Sequence, residues 1–274
     1  MIKLSYLSVI RFSGVDAGRF LHSQLSADVQ GLASGDSSFA CYCEPKGRVL
    51  SLMLVYRDDD DYFVIMSTSL TSAVIDRLKI YVMRSRVNIE ILSDYSVSGI
   101  QAHDEQASVV NSNRIIELPG SRQCLVVTPS DISAETDAHK QADWKISELQ
   151  KGISWLGPET SGQFLPQMLG YEELGAVNYR KGCYPGQEIV ARTHYLGTVK
   201  RHPRLLVCKL PIGPNHMDKV ELVSDDQPFD AVVADFERNA DGMICLLLVT
   251  RMAPDRVVQQ INYLENSSEI YQLL

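Results

Sequence analysis

Two glycines and a proline fall within five residues, at Gly182, Pro185 and Gly186, and they force a tight turn in the run Lys181 to Glu188, KGCYPGQE. Glycine reaches positive φ without steric cost, and proline locks φ. The turn carries one thiol, Cys183, with Arg180 and Lys181 just before it. Gln187 to Arg192 predicts a short helix starting directly afterwards, with Gly186 near its cap and Glu188 in its first turn. Nearby cations and a helix N-terminus both favour a thiolate, so the position suits a reactive cysteine. A buried structural thiol in an ordinary turn is the plainer alternative.

Composition sets the class. With 274 residues, 45% hydrophobic and 22% charged, the chain can build one large domain or two smaller ones, and neither disorder nor collagen-like structure fits. A net charge of −8 offers no general attraction for phosphate backbones, so no direct nucleic-acid partner is expected. The cluster Arg192, His194, Lys200, Arg201, His202 and Arg204 runs against that balance; it reads as solvated surface or as a site for an anionic ligand tail. The six cysteines show no Cys-x-x-Cys pair and no zinc or ferredoxin spacing, so no metal site is expected. Free thiols fit a reducing compartment. Met1 to Phe12 lacks the pattern of a signal peptide, and no run of about 18 apolar residues occurs. The expectation is a cytoplasmic protein without membrane spans.

In chain order, Tyr6 to Phe12 predicts a strand, and Asp16 an N-cap for a helix presenting Ala17, Phe20, Leu21 and Leu25. Phe39 to Cys43 and Arg48 to Tyr56 predict a hairpin around Glu44 to Gly47. The carboxylates Asp58 to Asp61 read as a solvated tip before the strand Tyr62 to Ser67, since consecutive acids in a turn diverge. Leu70, Val74, Leu78 and Val82 predict a helix, and Val87 to Leu92 a returning strand. Short strands with polar breaks such as Asn111-Ser112-Asn113 span Val97 to Val127; a helix is expected within Ser130 to Lys140. Trp144 heads a further helical stretch ending at Lys151-Gly152. Beyond Arg204, strand-length runs at Leu205–Leu210, Lys219–Val223, Phe229–Phe236 and Met243–Thr250 predict a small antiparallel barrel or sandwich. Cys183 and His194 are a conceivable nucleophile–base pair, but no third group is in view to orient them. No phosphate loop, dinucleotide fingerprint or nucleophile elbow is present.

The octapeptide KGCYPGQE fits a pattern of Lys-Gly-Cys, an aromatic, any residue, then Gly-Gln-Glu. With the preceding Ser161-Gly162-Gln163-Phe164-Leu165-Pro166-Gln167 and the opening Gly14-x-Asp16-x-x-x-Phe20-Leu21-x-x-Gln24-Leu25-x-x-Asp28-Val29, it resembles the YgfZ family. These are folate-binding relatives of the glycine-cleavage aminomethyltransferase, linked to tRNA modification. The resemblance is strong from Ser161 to Arg201 and weaker before it. It implies an α+β aminomethyltransferase-like cloverleaf: residues 1–198 as two interleaved subdomains and 199–274 as a C-terminal β-barrel, around a channel for tetrahydrofolate or a derivative. It marks Cys183 and Lys181 as the acting residues. Trp144, Gln163, Tyr184, Gln187 and Glu188 become candidate folate contacts, and Leu7 stands where relatives often carry a tryptophan. A flat pterin ring wants an aromatic face to stack on, which favours the pocket role for Trp144; a half-buried core tryptophan is the alternative.

The family resemblance further implies folate and iron–sulfur enzymes, as clients, for partners. The transferase proper carries Asp-Phe where Cys183-Tyr184 stands, which favours an accessory role over glycine cleavage. A folate-dependent one-carbon transferase is the alternative, and a retained fold without its ligand is a third.

Overall fold

The computed structural model describes residues 1–101, 114–119, 122–130, 134–197, 199–264 and 266–273. The expected Asn111–Asn113 break, part of the Ser130–Lys140 segment and the boundary residue Thr198 lie outside the described residues.

One five-stranded antiparallel sheet forms the first layer. It is built from β2 (Leu7–Ser13), β3 (Ser37–Cys43), β4 (Val49–Asp58), β5 (Asp61–Ser67) and β6 (Asn88–Ile91), in the order β3-β4-β5-β2-β6. The β-branched and aromatic runs read from the sequence supply these strands. Asp58 and Asp61 close the β4–β5 hairpin as a paired position and are neutralised separately, by Arg114 at 2.7 Å and Arg11 at 2.5 Å. Two helices, α1 (Ala17–Gln24) and α2 (Thr71–Val82), join the strands, with Ala17, Phe20 and Leu21 of α1 buried. Asp16 precedes α1, but its carboxylate makes no cap. It accepts from the Arg86 backbone N–H at 2.9 Å, tying the helix start to the approach of β6.

A second antiparallel sheet, in the order β1-β7-β9-β8, comprises β1 (Ile2–Lys3), β7 (Tyr95–Gln101), β8 (Arg114–Glu117) and β9 (Gln123–Pro129). Helix α3 (Ala138–Gln150) packs against it. Its N-cap is Asp137, accepting from the His139 and Lys140 backbone N–H groups, and Gly152 follows its end at φ +77°. Trp144 therefore lies in the middle of the helix and not at its head. The indole lies against Gly99, where an added Cβ would come within 2.7 Å of the ring.

After α4 (Gln187–Tyr195), six strands close a barrel: β10 (His202–Cys208), β11 (Lys219–Ser224), β12 (Gln227–Arg238), β13 (Ile244–Thr250), β14 (Gln260–Tyr263) and β15 (Asn266–Leu273). The order is β10-β13-β12-β11-β14-β15, with β15 returning to β10. Strand β13 is buried along its whole length because its alternate side chains serve two cores. Ile244, Leu246 and Leu248 fill the barrel, while Cys245, Leu247 and Val249 join the main core with Trp144, Leu149 and Trp155.

Candidate functional site

The cysteine turn is braced from several sides. Lys181 Nζ donates to the Leu25 carbonyl at 2.7 Å and to the His22 carbonyl, both at the C-terminal end of α1, where a cation complements the helix dipole. Burial pulls the Lys181 pKa down to about 8, against the opposing pull of Asp28 and Cys183. The ammonium also lies 5.2 Å from the Tyr184 ring centroid. Tyr184 is buried and, among the described residues, its hydroxyl has no hydrogen-bond partner; burial first, then the thiols of Cys43 and Cys41, push its ionisation well up.

Gly186 sits at φ +83° against the Glu44–Gly47 turn, where a Cβ would come 2.4 Å from the Glu44 oxygen and 2.6 Å from Gly47 Cα. From the other side, the Ser161–Phe164 run pairs with the start of β4. The Val49 N–H donates to the Phe164 carbonyl, and the Gly162 N–H to the Val49 carbonyl, each at 2.8 Å. Both segments of the octapeptide-type pattern therefore grip one hairpin turn.

The turn leaves Cys183 exposed while Cys41, Cys43, Cys124, Cys208 and Cys245 are buried. Of the six thiols, one should titrate rapidly with Ellman's reagent in the native protein and the other five only after unfolding. Two or more fast native thiols would contradict this packing.

A second feature is a cavity of about 210 Å³ where the first sheet, α3 and the barrel meet, lined by Tyr6, Ser67, Lys145, Trp155, His216 and Asp235 among others. The buried Asp235 accepts from Ser154 Oγ at 2.7 Å and from the Phe236 N–H at 2.8 Å, and lies 3.3 Å from Lys145 Nζ. Burial opposes its charge, yet Lys145, His216 and Ser154 hold its pKa below the usual carboxylate value. Behind this wall, the fully buried Glu148 accepts from Tyr6 Oη at 2.8 Å and from Trp144 Nε1 at 3.1 Å. Burial raises its pKa to about 7 against those hydrogen bonds. Trp155 Nε1 is close enough to favour the ionised carboxylate but makes no full hydrogen bond.

Of the predicted ligand contacts, Trp144 stands one layer behind the cavity, while Trp155 lines it. Leu7 is buried at the start of β2, and the neighbouring Tyr6 reaches the cavity. Gln163 is exposed in a groove elsewhere; Glu188 is exposed and pairs with Arg192 at 2.6 Å. Gln187 opens α4 beside the cysteine turn. The predicted residues thus divide between the turn, the groove and the core behind the cavity, and none of them lines the cavity itself. No local sequence pattern marks Glu148, Tyr6, Lys145 or Asp235 as site residues.

The groove holds about 560 Å³ and is lined by Lys46, Arg48, Lys200, Arg201 and Arg251 along with Gln163; a neighbouring cleft of about 440 Å³ adds Lys219. Among the described residues, none of these six cations has a carboxylate partner. The cationic cluster expected from the sequence is divided. Lys200 and Arg201 enter the groove, whereas Arg192 pairs with Glu188 and Arg204 donates to the carbonyls of Ala253 and Arg256. His194 stacks on Tyr179 at 3.9 Å and meets Glu172 at 3.1 Å. Among the described residues, no three His, Cys, Asp or Glu side chains gather to hold a metal, and no helix is long and apolar enough to cross a membrane.

No family model matches the chain. It is 30% identical over 226 residues to the tRNA-modifying protein YgfZ of Klebsiella pneumoniae, covering 73% of this chain and 69% of that protein. It is 29% identical over 202 residues to an uncharacterized protein of Haemophilus influenzae, covering 73% of this chain and 70% of that protein. Its fold matches the crystal structure of the glycine cleavage system aminomethyltransferase T from Bartonella henselae. There the TM-score is 0.72 at 14% identity, over 98% of this chain and 83% of that one. The architecture is therefore aminomethyltransferase-like, mixed α and β with few helices, and carries a closed six-stranded C-terminal barrel.

Proposed function

The chain belongs to the family of the tRNA-modifying protein YgfZ, and on that premise we propose that it is a folate-dependent accessory protein for iron–sulfur enzymes. In this reading the central cavity seats the ring of a reduced folate and Cys183 is the acting thiol. The homology and the aminomethyltransferase fold support a folate-related function. The cavity's composition carries the reading: an indole and a phenol on its wall, and the Lys145–Asp235 ion pair beside them. A flat heterocycle rich in donors and acceptors needs such a set.

Size points the same way. About 210 Å³ is below the roughly 300–1,000 Å³ typical of sites that engulf whole ligands, so a bicyclic head enters and the rest stays outside. His216 lines the cavity and Met217 lines the cationic groove, so the two are neighbours, and the groove suits the carboxylates of a glutamate tail. Bound tetrahydrofolate would supply a carrier for a one-carbon unit. Tyr6, Trp155, Lys145 and Asp235 would hold and orient its ring, and Glu148 would fix Tyr6.

The test is a titration with tetrahydrofolate followed by tryptophan fluorescence, in the wild type and in Trp155→Phe and Trp144→Phe. Saturable quenching carried mostly by Trp155 is expected, and a flat wild-type titration would sink the ligand assignment. Arg201→Glu should weaken the pentaglutamate form more than the monoglutamate. Cys183→Ala should retain folate binding while iron–sulfur enzyme activity in cells falls. Glycine-cleavage turnover by the purified protein would instead make it a one-carbon transferase.

A further inference from the structure

The cationic groove extends well past the place where a folate tail would enter it. Groove and neighbouring cleft share Arg201, Val232 and Arg251, so they form one continuous hollow. One end lies at the Glu44–Gly47 hairpin that the cysteine turn grips. Lys46 and Arg48 line it from either side of Gly47, and Ile189 lines it from the first turn of α4. The other end lies on the barrel, at Lys219 of β11 and Phe229 of β12. Lys46, Arg48, Lys200, Lys219 and Arg251 are exposed, and Arg201 is half-buried where the two parts join. The apolar side chains of the groove, Leu165, Met168, Ile189 and Met217, are half-buried. Arg48 donates to the carbonyls of Gly162 and Gln163, at 3.4 and 3.2 Å, which leaves its charge uncompensated. Among the described residues, Asp230 is the one carboxylate that lines the hollow.

We propose that this hollow holds an extended segment of a partner protein in which acidic side chains are interspersed with aliphatic ones. Its carboxylates would meet the exposed cations, and its aliphatic side chains would settle on the half-buried apolar ones, where two methionines adapt to varied shapes. A single glutamate tail ends in a pair of carboxylates, too few to engage cations at both ends. The whole chain carries a net charge of −8, so an acidic partner is repelled by the rest of the surface and drawn to this strip. A nucleic acid suits the hollow less, because stacked bases need an open aromatic face. Phe164 is buried, and the Arg256 guanidinium already covers the Phe229 ring at 5.0 Å from its centroid. The inference deepens the accessory reading and rests on it for the identity of the partner as a client enzyme; the binding itself requires no folate.

The experiment is fluorescence anisotropy with the full-length, folate-free protein and three labelled probes. The first is a twelve-residue peptide of Glu and Leu interspersed with Ser and Gly; the second replaces each Leu by Ser; the third is a twelve-nucleotide oligouridylate. Saturable binding of the first peptide is expected, weakening as salt is raised from 50 to 300 mM. The peptide without Leu should bind several-fold more weakly, and the RNA more weakly than the Glu–Leu peptide. Lys46→Glu and Lys219→Glu reverse one exposed charge at each end, and the double variant should lose about tenfold in affinity for the first peptide. Lys79→Glu, exposed on α2 and outside the hollow, makes the same change in charge and should cost less than about twofold. Absence of saturable binding overturns the proposal, as does equal loss in Lys79→Glu and the double variant. Equal affinity for the two peptides would reduce the hollow to a charge effect, and tighter binding of the RNA would make it a nucleic-acid surface; either result also overturns it. A flat folate titration beside intact peptide binding would fault the ligand reading alone.

Discussion

Gly186→Ala should destabilise the protein by about 3–5 kcal/mol, in the class of large single-site effects with a named steric cause. Two costs combine. The residue sits at φ +83°, where an alanine pays about 1 kcal/mol in backbone strain. The new methyl would also stand 2.4 Å from the Glu44 oxygen and 2.6 Å from Gly47 Cα, and these are backbone atoms of a tight hairpin that cannot rotate away. Relief requires the cysteine turn to separate from the β3–β4 hairpin, which also uncovers Tyr184 and the buried Cys41 and Cys43. Urea unfolding measures the loss, and Gly152→Ala is the matched control. Gly152 has a similar φ of +77° but nothing within 4 Å of its added Cβ, so it isolates the strain. If both variants lose the same stability, the close approach of the two turns is not what requires glycine.

Glu148→Gln should change the pH dependence of stability. The native carboxyl has a pKa of about 7, raised from 4.5 chiefly by burial. The native state thus binds this proton more tightly than the unfolded chain does. The associated stabilisation is complete below the unfolded value and is lost as pH rises through about 7. It amounts to about 3 kcal/mol. Glutamine is neutral throughout and nearly isosteric. The stability of the variant relative to wild type should therefore rise by up to about 3 kcal/mol between pH 5 and pH 8, whatever the constant offset from its altered hydrogen bonds. A difference that stays flat over this range would refute the buried, proton-binding carboxylate. Glu148→Ala gives the complementary result. It strips acceptors from Tyr6 Oη and Trp144 Nε1, which costs about 1–3 kcal/mol for each donor left unsatisfied, at both pH values.

Local chemistry was legible in the sequence wherever a few consecutive residues decide the outcome. The glycines and proline of the cysteine turn, the hairpin at Glu44–Gly47 and four barrel strands fall in this group. Strands β14 and β15 carry no such signal, because their Gln, Asn and Ser content is poor in strand formers, and closing the barrel supplies what propensity does not. In sequence the apolar pattern of α3 starts at Trp144, whereas the Asp137 cap lies a full turn and more upstream. The cavity was the least visible part. Its walls come from positions 6, 67, 145, 155, 216 and 235, and only the fold brings them together. Glu148 and Asp235 look like surface acids in sequence, and nothing local reveals that both are buried. The brace from α1 is hidden for the same reason, since the His22 carbonyl lies 159 residues from the Lys181 ammonium that donates to it.

The two-sided strand β13 bears on how the molecule comes apart. Leu247 and Val249 belong to the main core, and Asp235 of the adjacent strand is tied to Lys145 and Ser154 of the body. Pulling the barrel away would expose that apolar row and strand a buried anion without its cation, a penalty of several kcal/mol. The boundary that the resemblance implies at 198/199 would then divide the topology without dividing the cooperative unit. Calorimetry should record one unfolding transition for the whole chain, and the 199–274 fragment should not persist alone as a folded barrel. Two resolved transitions would show that the cavity closes between units already able to stand apart.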